Sequence, residues 1–212
     1  FVGSVRFFVA TTLGAHSGLK EYRSNPVYYV QLVCEQVIPA VAKQNLAHCV
    51  DVFCESIGFS PTQCRTIFTA AKTHNLDVKA HVEQLSDLKG AKLAAEFGAL
   101  SVDHIEYLDP KDIPALKQSD TVAVLLPGAF YYLSETQKPP VAELRANQVP
   151  IAIATDLNPG SSPIASILTI MNMASVLFGL TPEEALYGVT INAAKALNLT
   201  NKGQVKAGMD AD

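Results

Sequence analysis

The stretch VKAHVEQLSDLKGAKLAAEFGALSVDH, from Val78 to His104, decides the fold. It opens with a short apolar run, Val78 to His81, continues with apolar residues at helical spacing, and closes with a second apolar run, Leu100 to His104. Short apolar runs of this kind are typical of buried strands, and i, i+3, i+4 spacing is typical of an amphipathic helix. The stretch therefore predicts a strand–helix–strand unit whose two strands are parallel.

The same alternation extends in both directions along the chain. Four further apolar runs predict strands at Val5 to Leu13, Cys49 to Cys54, Val122 to Leu126 and Ile151 to Thr155. Each strand is followed by a helical pattern, and the tail from Ile164 to Leu199 predicts two or three more helices. Six strand-then-helix units indicate the α/β class with a parallel sheet.

Three helix starts are marked in the sequence. Ser60 and Asp109 are N-cap candidates, and each is followed by a proline at the first helical position. Thr181 to Glu184, TPEE, has the spacing of a capping box.

The position of the polar residues favours a barrel over an open sheet. No Gly-rich phosphate loop follows the first strand, which argues against a dinucleotide-binding sheet. Polar side chains instead gather where strands end: His16, Glu55, His81, His104 and Asp156. A (β/α)8 barrel builds its active site from such strand ends, and we predict that His81, His104 and Asp156 converge at one barrel mouth.

Alternation within the strands places charges inside the barrel. Asp51, Phe53 and Glu55 share one face of their strand, and Lys79 shares a face with His81. A lysine inside a barrel needs a carboxylate partner. We predict that Asp51 or Glu55 provides it.

Asp156 is the single charge in AIATDLNPGSSP, Ala152 to Pro163. Burying an unpaired carboxylate is costly, so a cation or a hydrogen-bond donor is expected beside it. Together with the strand-end imidazole of His81 it suggests a Zn or Fe site. The alternatives are a hydrogen-bonded core histidine and an aspartate that organises the Asn-Pro-Gly turn.

The remaining histidines leave alternatives open. His104 is a third ligand, a proton shuttle or a core residue, and His16 contacts substrate or structures its loop. His74 lies at a helix C-terminus, where the dipole explains it, and His48 lies at the opposite end of the barrel. The loop NPGSSP offers N–H groups and hydroxyls to a carboxylate or carbonyl oxygen, or is an ordinary turn.

Composition limits the classes of function. The chain has 212 residues with 49% hydrophobic and 17% charged residues, enough for one large domain or two small ones. A net charge of −4 without clustered Lys and Arg argues against a nucleic-acid partner. The most apolar segment is interrupted by Asn172, so a membrane span is not expected.

The cysteines point to a reducing compartment. None of the four lies in a C-x-x-C pair, so we interpret them as buried core thiols and expect a cytoplasmic location. No signal peptide is visible. The chain begins at Phe1 without Met, and we expect it to be a piece of a longer protein.

Several long motifs resemble one family. TTLGAHS, VDVFCESIGFSPTQCRTIF, VKAHVEQLSDLKGAKLAAEFGALSVDHIEYL, TVAVLLPGAFYYL, IATDLNPGSSP and LTPEEALYGVTINAAKAL are similar to the imidazolonepropionases of the amidohydrolase superfamily, over essentially the whole chain. The resemblance implies a distorted (β/α)8 barrel with a small β-sandwich. It also implies hydrolysis of 4-imidazolone-5-propanoate to N-formimino-L-glutamate in histidine degradation, with one Zn or Fe ion.

The resemblance also implies roles for individual residues. His81 and Asp156 match the metal ligands, and His104 and Asp156 match the catalytic positions. The implied substrate and product contacts are His16, Gln84, Asn158, Gly160 and Ser161. A homodimer is the expected assembly.

Two departures from the family pattern matter. The H-x-H metal pair of the family's first strand is absent, so residues 1–200 are interpreted as strands three to eight of the barrel, and 201–212 as the start of the return to the β-sandwich. Gln84 stands where some members carry Glu, and an amide cannot act as a general base. Alternative functions are another cyclic amidohydrolase or deaminase, or a non-catalytic binding module.

Overall fold

The computed structural model describes residues 9–17, 22 and 25–210. Six parallel strands form one sheet in chain order: β1 (Thr11–Ala15), β2 (Cys49–Cys54), β3 (Asp77–Val82), β4 (Ser101–His104), β5 (Val122–Leu125) and β6 (Ile151–Ile153). Consecutive parallel strands joined by helical crossovers are the arrangement of a (β/α)8 barrel. The predicted α/β class and partial barrel are confirmed, with β1 and β6 at the edges of the described sheet.

Two strands differ from their predicted bounds. The first strand was predicted over Val5 to Leu13, but it runs from Thr11 to Ala15, and residues 5–8 lie outside the described part of the chain. The last was predicted to reach Thr155 and ends at Ile153. It ends early because the Thr155 carbonyl accepts a 2.6 Å hydrogen bond from Ser162 Oγ, and Asp156 then adopts a left-handed conformation with φ of 48°.

Helices cover the outer face of the sheet. They are α1 (Pro26–Leu32), a π-helical turn (Val33–Val37), α2 (Ile38–Lys43), α3 (Pro61–Thr73), α4 (Gly90–Glu96), a 3-10 turn (Pro110–Asp112), α5 (Ile113–Gln118), α6 (Pro127–Tyr132), α7 (Val141–Ala146), α8 (Ile167–Phe178), α9 (Pro182–Val189) and α10 (Ile191–Ala196). The tail forms three helices, as predicted. None of the described helices is long and apolar enough to cross a membrane.

The predicted helix starts are confirmed. Ser60 and Gln63 form a reciprocal capping box at α3, and Thr181 and Glu184 form another at α9. Asp109 accepts a hydrogen bond from the Lys111 amide at the 3-10 turn. These local bonds satisfy N–H groups that a helix start leaves unpaired.

The two faces of the sheet differ in chemistry. Alternate strand residues such as Val50, Val78, Val102 and Ala123 pack against the helices in the main hydrophobic core. On the inner face, β2 to β4 present a set that we call the charged wall: Asp51, Lys79, His81 and Asp103. Beside it, β5 and β6 present the apolar wall: Val122, Val124 and Ala152.

Three of the four cysteines are buried, as predicted, and Cys34 is half-buried. All four are free thiols. Cys49 contacts the Thr11 hydroxyl across β1 and β2 at 3.0 Å. The cysteines therefore contribute to packing in the described structure.

Candidate active site

The candidate site lies where the first three strands end. Asp51 of β2 is 3% exposed, and its Oδ1 contacts two imidazoles. It lies 3.1 Å from Nδ1 of His81 in a hydrogen bond, and 3.2 Å from Nε2 of His16. The rings of His16 and His81 meet edge to face with centroids 4.5 Å apart. One carboxylate thus joins histidines from the two neighbouring strands.

Charge shapes the protonation of this cluster. Burial alone would raise the pKa of Asp51, but the nearby His81 and His16 outweigh it and hold that pKa well below its usual range. Burial opposes the charged form of His81, yet Asp51, Asp103 and Asp156 raise its pKa to about 9. A cation is therefore favoured at His81, and a bound metal would take the place of the proton.

The donor set fits a transition metal. One ligand atom each from His16, Asp51 and His81 lie within 4.8 Å of one another. The Nε2 atom of His16 is buried and, although close to Asp51, makes no aligned hydrogen bond within the described residues. Two imidazoles and a carboxylate suit Zn or Fe. Strand alternation predicts Asp51 only as a possible partner of Lys79, so its place in this cluster is a finding of the structure.

Asp156 is near this cluster without belonging to it. Its carboxylate is half-buried, and its charge helps to raise the pKa of His81. Burial raises the pKa of Asp156 itself, while His81 opposes the shift. Among the described residues no hydrogen bond or ion pair within 4.0 Å involves its carboxylate, so the predicted metal-ligand role of Asp156 stays a prediction supported by an unpartnered charge.

His104 reaches the site through an unusual backbone. Regular alternation would point it away from its neighbour Asp103 and toward the helices. Left-handed conformations at His104 (φ of 76°) and Ile105 (φ of 64°) end the strand, and the His104 ring lies 5.3 Å from that of His81. Burial and the neighbouring His81 lower the pKa of His104 well below its usual value, so His104 is neutral at physiological pH.

The loop after Asp156 is organised by its own atoms. Asn158 and Ser162 exchange backbone hydrogen bonds of 3.1 and 2.9 Å. The side-chain oxygen of Asn158 accepts a 2.8 Å hydrogen bond from the Gly160 amide. This matches the turn alternative from sequence analysis. Ser161 is half-buried, Gln84 is 9% exposed, and their substrate contacts, like those of Asn158 and Gly160, stay predictions.

The predicted pairing of Lys79 with Asp51 or Glu55 is not formed, although Lys79 lies near the carboxylates of Asp103 and Asp51. Burial lowers the pKa of Lys79, but the charges of Asp103 and Asp51 outweigh it and raise that pKa. None of the ion pairs within 4.0 Å among the described residues involves Lys79. Glu55 accepts hydrogen bonds from the Leu85 amide at 2.8 Å and from Ser86. Glu55 is only 1% exposed, and because β2 ends at Cys54, strand alternation no longer sets the direction of its side chain.

His48 and His74 lie elsewhere, as predicted. They line a cavity of about 550 Å³ at the amino ends of β2 and β3, together with Asp77 and Leu199. This cavity is at the opposite end of the sheet from His81. It therefore plays no part in the candidate site.

Known structures share this fold at low identity. An adenosine deaminase from Xanthomonas campestris with bound zinc aligns with 96% of this chain and 51% of that chain, at a TM-score of 0.72 and 15% identity. A guanine deaminase from C. acetobutylicum with bound guanine aligns with 95% and 54%, at a TM-score of 0.68 and 14% identity. These likenesses concern the fold alone.

Sequence relatives are much closer. Imidazolonepropionases from Pseudoalteromonas atlantica and Alteromonas mediterranea are 65% and 61% identical over 202 residues, 95% of this chain. One from Chromobacterium violaceum is 61% identical over 206 residues, 96% of this chain. The chain spans about half the length of these curated relatives, 50%, 48% and 50%. The model of the amidohydrolase family matches residues 34–212, and the chain therefore belongs to the amidohydrolase family.

Proposed function

We propose that this chain is the half of an imidazolonepropionase that carries strands three to eight, and that the whole protein hydrolyses 4-imidazolone-5-propanoate to N-formimino-L-glutamate. The observation that carries the proposal is the 65% identity over 202 residues to a protein of that name. The gathering of His16, His81 and His104 where neighbouring strands end supports it.

One Zn or Fe ion is proposed at His81 and Asp156. The hydrogen bond from His81 Nδ1 to Asp51 leaves Nε2 as the nitrogen for a metal, and Asp156 offers a carboxylate without another partner. Asp51 holds the His81 ring through Nδ1, and the His16 ring lies against that of His81. When bound, such an ion activates water near neutral pH and polarises the carbonyl that is attacked.

Proton transfer falls to Asp156 in this proposal. Gln84 stands at a position where a base would be useful, but its amide has no proton-accepting role at neutral pH. Asp156 is half-buried with a raised pKa, which suits a group that takes a proton from water and returns it to the leaving ring nitrogen.

The remaining residues bind and orient the substrate. His104 is neutral and donates a hydrogen bond to the oxyanion that develops on the ring carbonyl. His16 and Gln84 orient the ring. Asn158, Gly160 and Ser161 close around the substrate or product carboxylate, where the loop presents N–H and O–H groups.

The test is a chimera in which this chain replaces the matching half of the Pseudoalteromonas atlantica relative. We expect the chimera to bind about one Zn or Fe ion and to open the imidazolone ring, followed as loss of substrate and appearance of formiminoglutamate. The unaltered relative is the matched control. A folded, metal-loaded chimera that leaves imidazolonepropanoate intact, or that hydrolyses a different cyclic amide, would contradict the proposal.

Assembly and location are separate proposals. We expect the whole protein to be a cytoplasmic homodimer that binds no nucleic acid. Sedimentation of the chimera tests the dimer.

A further inference from the structure

Glu55 is a buried acid that the proposed reaction does not use. Its Oε1 atom accepts hydrogen bonds from the backbone amides of Leu85 at 2.8 Å and Ser86 at 3.2 Å. Its Oε2 atom accepts from the Ser86 hydroxyl at 2.5 Å and from the amide of Ser56 at 3.1 Å. The direction of the amide bonds is fixed, because a backbone N–H donates and cannot accept. Glu55 therefore ties the end of β2 to the loop that follows β3.

A second buried acid fixes the beginning of the same loop. Glu83 comes directly after β3 and accepts hydrogen bonds from the amides of Gly90 at 2.6 Å and Ala91 at 2.8 Å, at the start of α4. The two elements lie so close that a Cβ on Gly90 would be 2.8 Å from a methyl carbon of Val82. Glu83 therefore cannot shift unless α4 moves with it.

Gln84 lies between these two anchored parts of the chain. It is buried, and none of the hydrogen bonds among the described residues involves its side chain. A buried amide group without a protein partner is available to a ligand. Since the side chain has no anchor of its own, the direction in which it points depends on the backbone at Glu83 and at Leu85.

We propose that Glu55 is a positioning residue that acts through Gln84: by holding the amides of Leu85 and Ser86, it fixes the loop so that the Gln84 side chain meets the substrate ring. The inference rests on the proposed function, because that function gives Gln84 its contact with the substrate. A loop without this carboxylate would take several positions, and misplacing a group that orients the substrate slows the reaction.

Hydrogen exchange in the chimera tests the constraint without any substrate. Glu55→Gln keeps the size of the side chain, but it replaces one acceptor oxygen with an NH2 group. We expect the amides of Leu85 and Ser86 to exchange at least about 10-fold faster, the effect of losing hydrogen bonds to a charged group. The amides of Gly90 and Ala91, which a different carboxylate holds, are the internal control. Unchanged exchange at Leu85 and Ser86 would overturn the proposal.

A double-mutant cycle separates positioning from support of the fold. Glu55→Gln should lower kcat/KM for imidazolonepropanoate by about 10-fold in the chimera. In a Gln84→Ala background the same substitution should change kcat/KM by less than about twofold, because the group that Glu55 positions is gone. Ser60→Ala removes the N-cap of α3 and is the control for lost stability, with kcat/KM kept within about twofold. Equal losses in the two backgrounds would refute the inference.

Ser86→Ala repeats the cycle with a milder change, for the case that Glu55→Gln does not fold. It removes only the hydroxyl hydrogen bond to Glu55 and leaves both backbone donors. We expect kcat/KM to fall by about threefold when Gln84 is present, and to stay unchanged in the Gln84→Ala background. A loss that does not depend on Gln84 would count against the positioning role.

Nitrogen NMR separates this inference from the proposed function. The side-chain amide signals of Gln84, assigned by their loss in Gln84→Ala, should form one sharp pair in the parent chimera and a broadened or split pair in Glu55→Gln. This holds whether or not imidazolonepropanoate is the substrate. A sharp, unshifted pair in Glu55→Gln would overturn the role of Glu55 and leave the proposed function standing.

Discussion

The charged wall and the apolar wall are neighbours in one sheet, yet they contribute different things. On the charged wall, Asp51 contacts two histidines, and the charges of Asp51 and Asp103 outweigh burial and raise the pKa of both Lys79 and His81. On the apolar wall, Val124 and Ala152 pair in register and offer no polar atom to a ligand. The difference teaches that the charged wall supplies the electrostatic interactions of the site. The apolar wall contributes small side chains without polar atoms, which lower the local dielectric constant.

The largest expected effect concerns Asp156. It follows β6 of the apolar wall in the chain, but its charge acts on His81 of the charged wall. Asp156→Asn in the chimera keeps the shape and removes both a proposed ligand and the proposed base. We expect hydrolysis to fall at least about 100-fold with folding intact, measured as kcat/KM and by circular dichroism. The exposed Asp120→Asn is the control. Near-normal turnover by Asp156→Asn would refute its role.

Asp51→Asn tests the charged wall itself. The amide oxygen can still accept a hydrogen bond from His81. The variant loses the negative charge, which raises the pKa of His81 and strengthens this histidine as a ligand. We expect metal affinity to weaken by about 10- to 100-fold, measured by competition with a chelator. Unchanged affinity would show that Asp51 only supports packing.

Val124→Ala tests the opposite wall. Val124 is 6% exposed, and removing its two buried methyl groups should reduce the free energy of unfolding by about 2 kcal/mol. Metal affinity should stay unchanged, since no ligand atom is altered. Denaturant unfolding and the chelator assay together check this. A loss of metal binding as large as that of Asp51→Asn would erase the distinction between the walls.

The smallest effect is expected at the loop beyond both walls. Ser161→Ala removes one half-buried hydroxyl that we place beside the substrate carboxylate. We expect KM to rise severalfold, about 1 kcal/mol of binding, with kcat nearly unchanged. The neighbouring Ser162 donates to the Thr155 carbonyl, so Ser162→Ala should instead lower stability. A fall in kcat for Ser161→Ala would contradict this assignment.

Much of the fold was predictable because its causes are local. The repeated change from strand to helix spacing, the capping boxes at Ser60 and Thr181, and the parallel connections all follow from short stretches of chain. The early end of β6 was missed because its cause is a hydrogen bond between Thr155 and Ser162, seven residues apart.

The candidate site was predictable in part. Strand-end position identified His16, His81, His104 and Asp156, and the structure brings the three histidines together. The predicted pairing of Asp51 with Lys79 was wrong, because strand alternation shows on which face a side chain lies but not which neighbouring side chain it contacts.

The sequence by itself determined the α/β class, the helix starts and the strand ends from which a site is built, because propensity, spacing and capping act over a few residues. Only the tertiary structure decided that Asp51 joins His16 to His81, that Glu55 turns away to the Ser86 loop, and that His104 reaches the site against strand alternation. These outcomes depend on strand register and on left-handed backbone at single positions, and they set distances between residues far apart in the chain. Burial and charge then fix each pKa from the whole neighbourhood, which no short stretch of sequence contains.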